Sequence, residues 1–218
     1  KEKKGFFGFV YLFVQKIMFR YKLQNLKNHI NKDKIVLDYG SGDGRFAEYL
    51  NQLQIKTITY DPLVNKLDKS EPFGYQITEN QVDTLMMWHV LEHIPDLESS
   101  IKVICNSVKN KGSLIIAVPN IDSFDSKLYK ECWAGLDVPR HLYHFNHESL
   151  IKFIEKHGFI YNYKKPLIFD SFYVSILSEK NRSNPFGILI GLTMGLISNF
   201  FALFSSNYSS SFYVFTKD

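Results

Sequence analysis

The chain reads as an α/β protein, a seven-stranded, mostly parallel sheet with helices on both faces. Two observations predict this. From about residue 34 onward, short β-type apolar runs alternate with helical ones, the pattern of a parallel sheet covered by helices. The first of those runs, within KIVLDYGSGDGRF (34–46), ends in a glycine-rich turn that opens a helix. A length of 218 residues, 45% hydrophobic and 22% charged, suits one globular domain with an appendage and excludes a wholly disordered chain.

Ahead of the sheet, GFFGFVYLFV (5–14) follows KEKK, but QKIMFRYK stands where a signal peptide would carry small residues for cleavage. Apolar positions 6, 9, 10, 13, 14, 17 and 21 recur at helical spacing, with Lys16, Arg20 and Lys22 between them. An aromatic-rich amphipathic helix is therefore expected, as a cap over 1–32 on a domain that runs over 33–218. Strands are expected at 34–39, 56–60, 74–77, 82–88 and 113–118, and helices most clearly at 43–52, 96–110 and 146–157. Gly158 suits the end of the last of these helices. FIYNYKKPLIF (159–169) then reads as a sixth strand and SSSFYVF (209–215) as a seventh.

Between those two strands lies a hydrophobic helical insertion, about 170–206. No charged residue occurs from 183 to 216, and PFGILIGLTMGLISNFFALF (185–204) is long enough to cross a bilayer as a helix. A single crossing would leave the last strand on the wrong side of the membrane, however. The remaining readings are a helix lying in the membrane interface, a re-entrant hairpin, or a cover packed on the domain or on a second subunit of a homodimer. Gly187, Gly191 and Gly195 recur every four residues and would let another helix approach closely.

The formal net charge of +4 comes from scattered lysines and not from a basic block, which leaves no footprint for nucleic acid. The two cysteines, Cys105 and Cys132, form neither a C-x-x-C pair nor a zinc-type spacing. That points to a reducing, cytoplasmic setting without disulfides.

The glycine turn carries the first chemical information. Gly40, Ser41, Gly42, Asp43 and Gly44 follow Asp38, and a dinucleotide fingerprint would need its third glycine at position 45, which is Arg45. Asp38 and Asp43 would oppose a pyrophosphate but welcome an amino-acid ammonium. Asp61 stands at the end of the second strand, where a carboxylate can accept both hydroxyls of a ribose. A ligand with a ribose, a positive centre and no phosphate is S-adenosylmethionine.

VLDYGSGDG (36–44), TYDP (59–62), MWHVLEHIPD (87–96) and AVPN (117–120) together resemble the ordered motifs of class I S-adenosylmethionine-dependent methyltransferases, which have a Rossmann-like fold. PRHLYHFNHESL (139–150) is similar to the branch containing ubiquinone-type O-methyltransferases and bacterial envelope or glycan modifiers. The resemblance covers roughly residues 33–168. It implies that Asp38, Gly40 and Gly42 line the methionine moiety, with Ser41 and Gly44 shaping the turn. Asp61 would hold the ribose and Pro62 lie near the adenine, while His89 and Val90 would pass between cofactor and substrate. The acid that often grips the adenine is left open between Thr78 and Glu79.

Methyl transfer to oxygen requires removal of the acceptor proton, work suited to histidine. His89, His93, His141 and His144 are the candidate bases, with Arg140 to grip an anionic or carbonyl group of the acceptor. Trp133 and Tyr143 are candidates for an acceptor wall. His89, Glu92 and His93 also resemble the E-x-x-E-H group with which small-RNA 2′-O-methyltransferases hold a metal, a site that a later histidine such as His141 or His144 could complete. With histidine at position 89 the set favours a softer ion than magnesium, or none, and the plain reading assigns no metal. The expectation is thus O-methylation of a small or lipid-linked acceptor, quinone-like, lipid or glycan, by a protein peripheral at the inner face of the membrane. The alternatives are a metal-assisted RNA 2′-O-methyltransferase and a non-catalytic S-adenosylmethionine-binding protein.

Overall fold

A computed structural model of the chain describes residues 6–61 and 78–218. Among them six strands form one mixed sheet: β1 (Val36–Tyr39), β2 (Thr57–Tyr60), β3 (Val82–Trp88), β4 (Val108–Pro119), β5 (Phe159–Pro166) and β6 (Ser210–Lys217). Their spatial order is β2-β1-β3-β4-β6-β5. The strand expected at 74–77 lies outside the described residues, so six strands are seen where seven were expected. β2, β1, β3 and β4 pair in parallel, and β6 pairs antiparallel with both β4 and β5.

The lone reversed strand has a simple cause. A single helix returns the chain to the far edge of the sheet, as α2 (Arg45–Gln52) does between β1 and β2 and α3 (Leu97–Ser107) does between β3 and β4. Such crossovers give parallel neighbours. Between β5 and β6 the chain instead makes a hairpin of two helices, α6 (Asp170–Asn181) and α7 (Gly187–Ser205), and re-enters at the edge it left.

Alternation within the strands builds a core on each face. Leu37, Leu85, Met87, Leu114, Ile116 and Phe215 join one buried cluster with Ile101, Ile104, Leu150 and Ile154 from α3 and α5 (His147–Glu155). Val36, Met86, Ile115 and Val214, their chain neighbours, point the other way and meet Leu26, Phe46 and Leu50.

The N-terminal helix α1 (Phe6–Leu26) forms, but only part of the predicted face docks. Tyr21 of the expected stripe packs against the sheet beside Met18, Phe19 and Leu23, while Phe13 and Ile17 of that stripe are exposed. Aromatic and aliphatic residues occur on several sides of this helix, so spacing alone does not choose the side that docks.

The glycine stripe in α7 does meet a helix, namely α6. A Cβ at Gly191 would lie 2.5 Å from the Ile176 Cα, and one at Gly195 would lie 2.8 Å from the Phe172 Cα. The two helices thus pack backbone to backbone. α7 continues this face with Ser198 and Ala202 and turns its large apolar side chains outward.

Candidate functional site

The donor turn is held by backbone contacts at the C-terminal ends of β1 and β2. Gly40 N–H donates to the Tyr60 carbonyl at 2.6 Å, and Gly42 N–H donates to Asp61 Oδ2 at 2.9 Å. The carboxylate expected to hold a ribose therefore also fixes the turn. Gly40, Gly42 and Gly44 all have positive φ, and Gly44 opens α2 as its N-cap. Gly40 has a second constraint, since a Cβ there would fall 2.4 Å from Val90 Cγ2. That contact sets Val90 directly against the turn. Pro62 is outside the described residues.

A crevice of about 140 Å³ beside this turn is lined by Asp38, Gly40, Ser41, Lys22 and Trp88, among others. Asp38 is buried on β1, and desolvation pushes its carboxyl up to about 7 although Lys22 opposes the shift. The Lys22 ammonium stands 3.6 Å over the Trp88 ring. Burial lowers it to about 8, against the pull of Asp170 and Asp38. The crevice thus sets a lysine ammonium under the pull of two carboxylates.

The sign of the pH dependence follows. Below about pH 7 Asp38 is neutral and offers a cationic donor little; above it the carboxylate attracts the donor. Donor affinity in calorimetry should therefore rise about tenfold from pH 6 to pH 8. Asp38→Asn should flatten that profile, and an unchanged profile would exclude Asp38 as its source.

A second, larger opening of about 830 Å³ has a lining separate from that of the crevice. Its lining includes His89, Trp133, Arg140, His141, Asp170 and Tyr173. His89 follows β3 with a left-handed backbone, φ 55°, a conformation that costs a non-glycine residue roughly 1 kcal/mol. Its Nε2 lies 3.1 Å from Asp170 Oδ2 and its Nδ1 3.5 Å from Glu92 Oε1. Burial alone would lower its pKa, but the two carboxylates outweigh burial and push it up to about 10. Pairing with the two carboxylates favours the imidazolium, which has no free lone pair, and so disfavours His89 as the base expected of it.

The other candidates converge on the loop after the 3₁₀ turn Leu91–His93. His93 Nδ1 is 3.0 Å from the Arg140 carbonyl and His141 Nδ1 is 2.8 Å from the Gly135 carbonyl. The His93 and His141 rings have centroids 4.6 Å apart, and His144 stands 6.3 Å beyond. Burial holds His141 below the usual imidazole range, so it is neutral at pH 7. Arg140 is exposed and engages Asp137 at 2.6 Å. Trp133 is buried with its Nε1–H on Asp125, whereas Tyr143 donates to the Pro95 carbonyl.

Two residues escaped the sequence reading. Asp170 opens α6, lines the larger opening and acts by its charge on Lys22 of the crevice, and its only signal was an acid directly after a strand at a sheet edge. Lys22 was visible as a cation on α1, but its reach into the donor crevice was not.

The fold and site can now be set beside known proteins. A methyltransferase-domain family model matches residues 12–161. By sequence, no curated protein matches. In fold, the chain is similar to a SAM-dependent methyltransferase from Thermotoga maritima (TM-score 0.58, 16% identity, 96% of this chain and 97% of that one). It is similar also to one from Archaeoglobus fulgidus (TM-score 0.55, 18% identity, 95% and 100%). Phosphoethanolamine N-methyltransferase 2 of Haemonchus contortus, solved with S-adenosyl-L-methionine, gives a TM-score of 0.52 at 17% identity, over 84% of this chain and 48% of that one. With S-adenosylmethionine as its methyl donor, the chain belongs to this methyltransferase-domain family, as a class I enzyme.

Proposed function

We propose that the enzyme methylates an oxygen of a lipid-linked acceptor, of lipid, quinone-like or envelope-glycan type, while lying on a membrane surface. The observation that carries this reading is the inverted face of α7. The helix buries Gly187, Gly191, Gly195, Ser198 and Ala202 and exposes Ile188, Leu189, Leu196, Phe200, Leu203 and Phe204. Large apolar side chains pointing outward at no polar cost suit a hydrocarbon neighbour. The second half of the helix is tied to the domain, through Ser198 on Asp125 and Lys164 Nζ on the Ser206 carbonyl. A helix so tied lies against a bilayer more readily than across it.

The helix α6 joins this face to the chemistry, because Tyr173, Val174 and Leu177 line the cleft while Ile176 and Phe172 pack on α7. An apolar acceptor tail would leave the cleft toward the greasy surface. A hydroxyl acceptor fits the neutral His141 and its neighbours, since its proton must leave as the carbon arrives. Arg140 and the His89 imidazolium would orient anionic or carbonyl oxygens.

Leu189→Lys combined with Leu196→Lys is the test. The unaltered enzyme should float with phospholipid vesicles and the double variant should stay in solution, with donor affinity unchanged in both. Equal flotation of the two would exclude the helix as the docking element. Mass spectrometry of membrane extracts should then show one added methyl group on a lipid-soluble acceptor.

A further inference from the structure

We propose that Glu92, His93 and His141 bind a divalent transition-metal ion of the zinc type on the wall of the acceptor cleft. Each of the three offers one donor atom, and these atoms lie within 4.8 Å of one another. Tetrahedral coordination at about 2.1 Å needs donors roughly 3.4 Å apart, so the three have only to close by about 1 Å.

The hydrogen bonds around the trio prepare it. Nδ1 of His93 donates to the Arg140 carbonyl and Nδ1 of His141 to the Gly135 carbonyl. A carbonyl can only accept, so both rings carry their proton on Nδ1 and present a lone pair on Nε2. This is the arrangement by which proteins orient metal-binding imidazoles. The two chain segments are also pinned together, since Leu142 N–H donates to the Glu92 carbonyl at 2.8 Å.

Glu92 supplies an independent sign. Its side chain is 1% exposed, and neither carboxylate oxygen has a hydrogen-bond partner among the described residues. Oε1 faces His89 Nδ1 at 3.5 Å and His141 Nε2 at 4.0 Å, distances of charge contact and not of hydrogen bonding. A buried carboxylate accepts almost any available donor, and one without any is unusual. An ion between Glu92 and the two lone pairs would satisfy all three groups at once. Two imidazoles and one carboxylate favour zinc, cobalt or iron over magnesium or calcium, which want more oxygens. Three protein ligands leave a position open toward the cleft, where His141 is part of the lining. An acceptor oxygen could enter it. The binding of the ion does not depend on which acceptor is used.

The full chain, stripped with a chelator and dialysed, should take up one zinc ion per molecule in calorimetry at pH 7.5. Cobalt should give the visible absorption of a tetrahedral site. His93→Ala and His141→Ala should each weaken zinc binding roughly 100-fold, whereas His157→Ala, away from the trio, should bind as the unaltered chain does. Zinc should raise the melting temperature of the unaltered chain and leave that of Glu92→Gln unmoved, which keeps the test readable if one histidine variant folds poorly. Zinc affinity equal in the His93→Ala, His141→Ala and unaltered chains would overturn the proposal. So would a Glu92→Gln variant destabilised in chelator in an otherwise zinc-insensitive protein, because Glu92 would then be only the counter-ion of His89.

Discussion

Gly40→Ala is expected to abolish donor binding and to cost roughly 2–5 kcal/mol of stability. The backbone there has φ +74°, which costs an alanine about 1–2 kcal/mol. The new methyl would also lie 2.4 Å and 2.8 Å from the two Val90 Cγ atoms and 3.2 Å from its Cβ. Because valine branches at Cβ, no rotamer clears all three contacts, and the segment after β3 must move. That segment carries His89, so the donor turn and the cleft would be disturbed together. Gly42→Ala makes the contrast. It also has positive φ, +56°, but none of the described residues lies within 4 Å of its added methyl. It should lose only about 1 kcal/mol and keep its fold, with the donor site partly obstructed. Calorimetric titration of the donor with thermal melts of both variants checks this pair. A Gly40→Ala enzyme that melts and binds like the parent would sink it.

How much of this was legible beforehand depended on the range of the interactions involved. The donor turn is local: glycines, acids and the preceding strand sit within a dozen residues, and both the turn and its Asp61 partner appear where spacing placed them. The strand 82–88 was read to its ends because its apolar run is long and bounded. The reversal of β6 was not readable, since it follows from α6 and α7 forming a hairpin, a pairing that only their glycine contacts establish. The docking side of α1 was read only in part because its apolar residues satisfy more than one helical phase. The His89 case is similar in kind. A histidine beside a cofactor motif suggests a base, but its charge is set by Asp170, which lies 81 residues away in the chain and 3.1 Å away in space. The three-way meeting of Glu92, His93 and His141 likewise needs the 137–144 loop to fold back on the 3₁₀ turn.

Long-range polar contacts also fasten α7 to the cleft side of the domain, and one side chain does most of this. Asp125, fully buried at the start of the short helix α4 (Phe124–Tyr129), accepts from Trp133 Nε1 at 2.8 Å, from Ser198 Oγ at 2.8 Å and from Ser209 Oγ at 2.7 Å. Those three donors belong to the cleft loop, to α7 and to the entrance of β6. Asp125→Ala would leave all of them inside the protein without an acceptor, at about 1–3 kcal/mol each, partly relieved by water entering the space. A loss of roughly 3–6 kcal/mol is expected, which for a chain of this length lowers the melting temperature by about 10 °C or more. Asp125→Asn keeps one acceptor oxygen and the shape of the side chain, so it should lose less than half as much. The alanine variant should also weaken acceptor use more than donor binding, because Trp133 borders the cleft and α7 packs on α6, which lines it, while the glycine turn lines the separate crevice. Equal losses of donor and acceptor affinity would mean that Asp125 supports the fold as a whole and does not hold the acceptor side in particular.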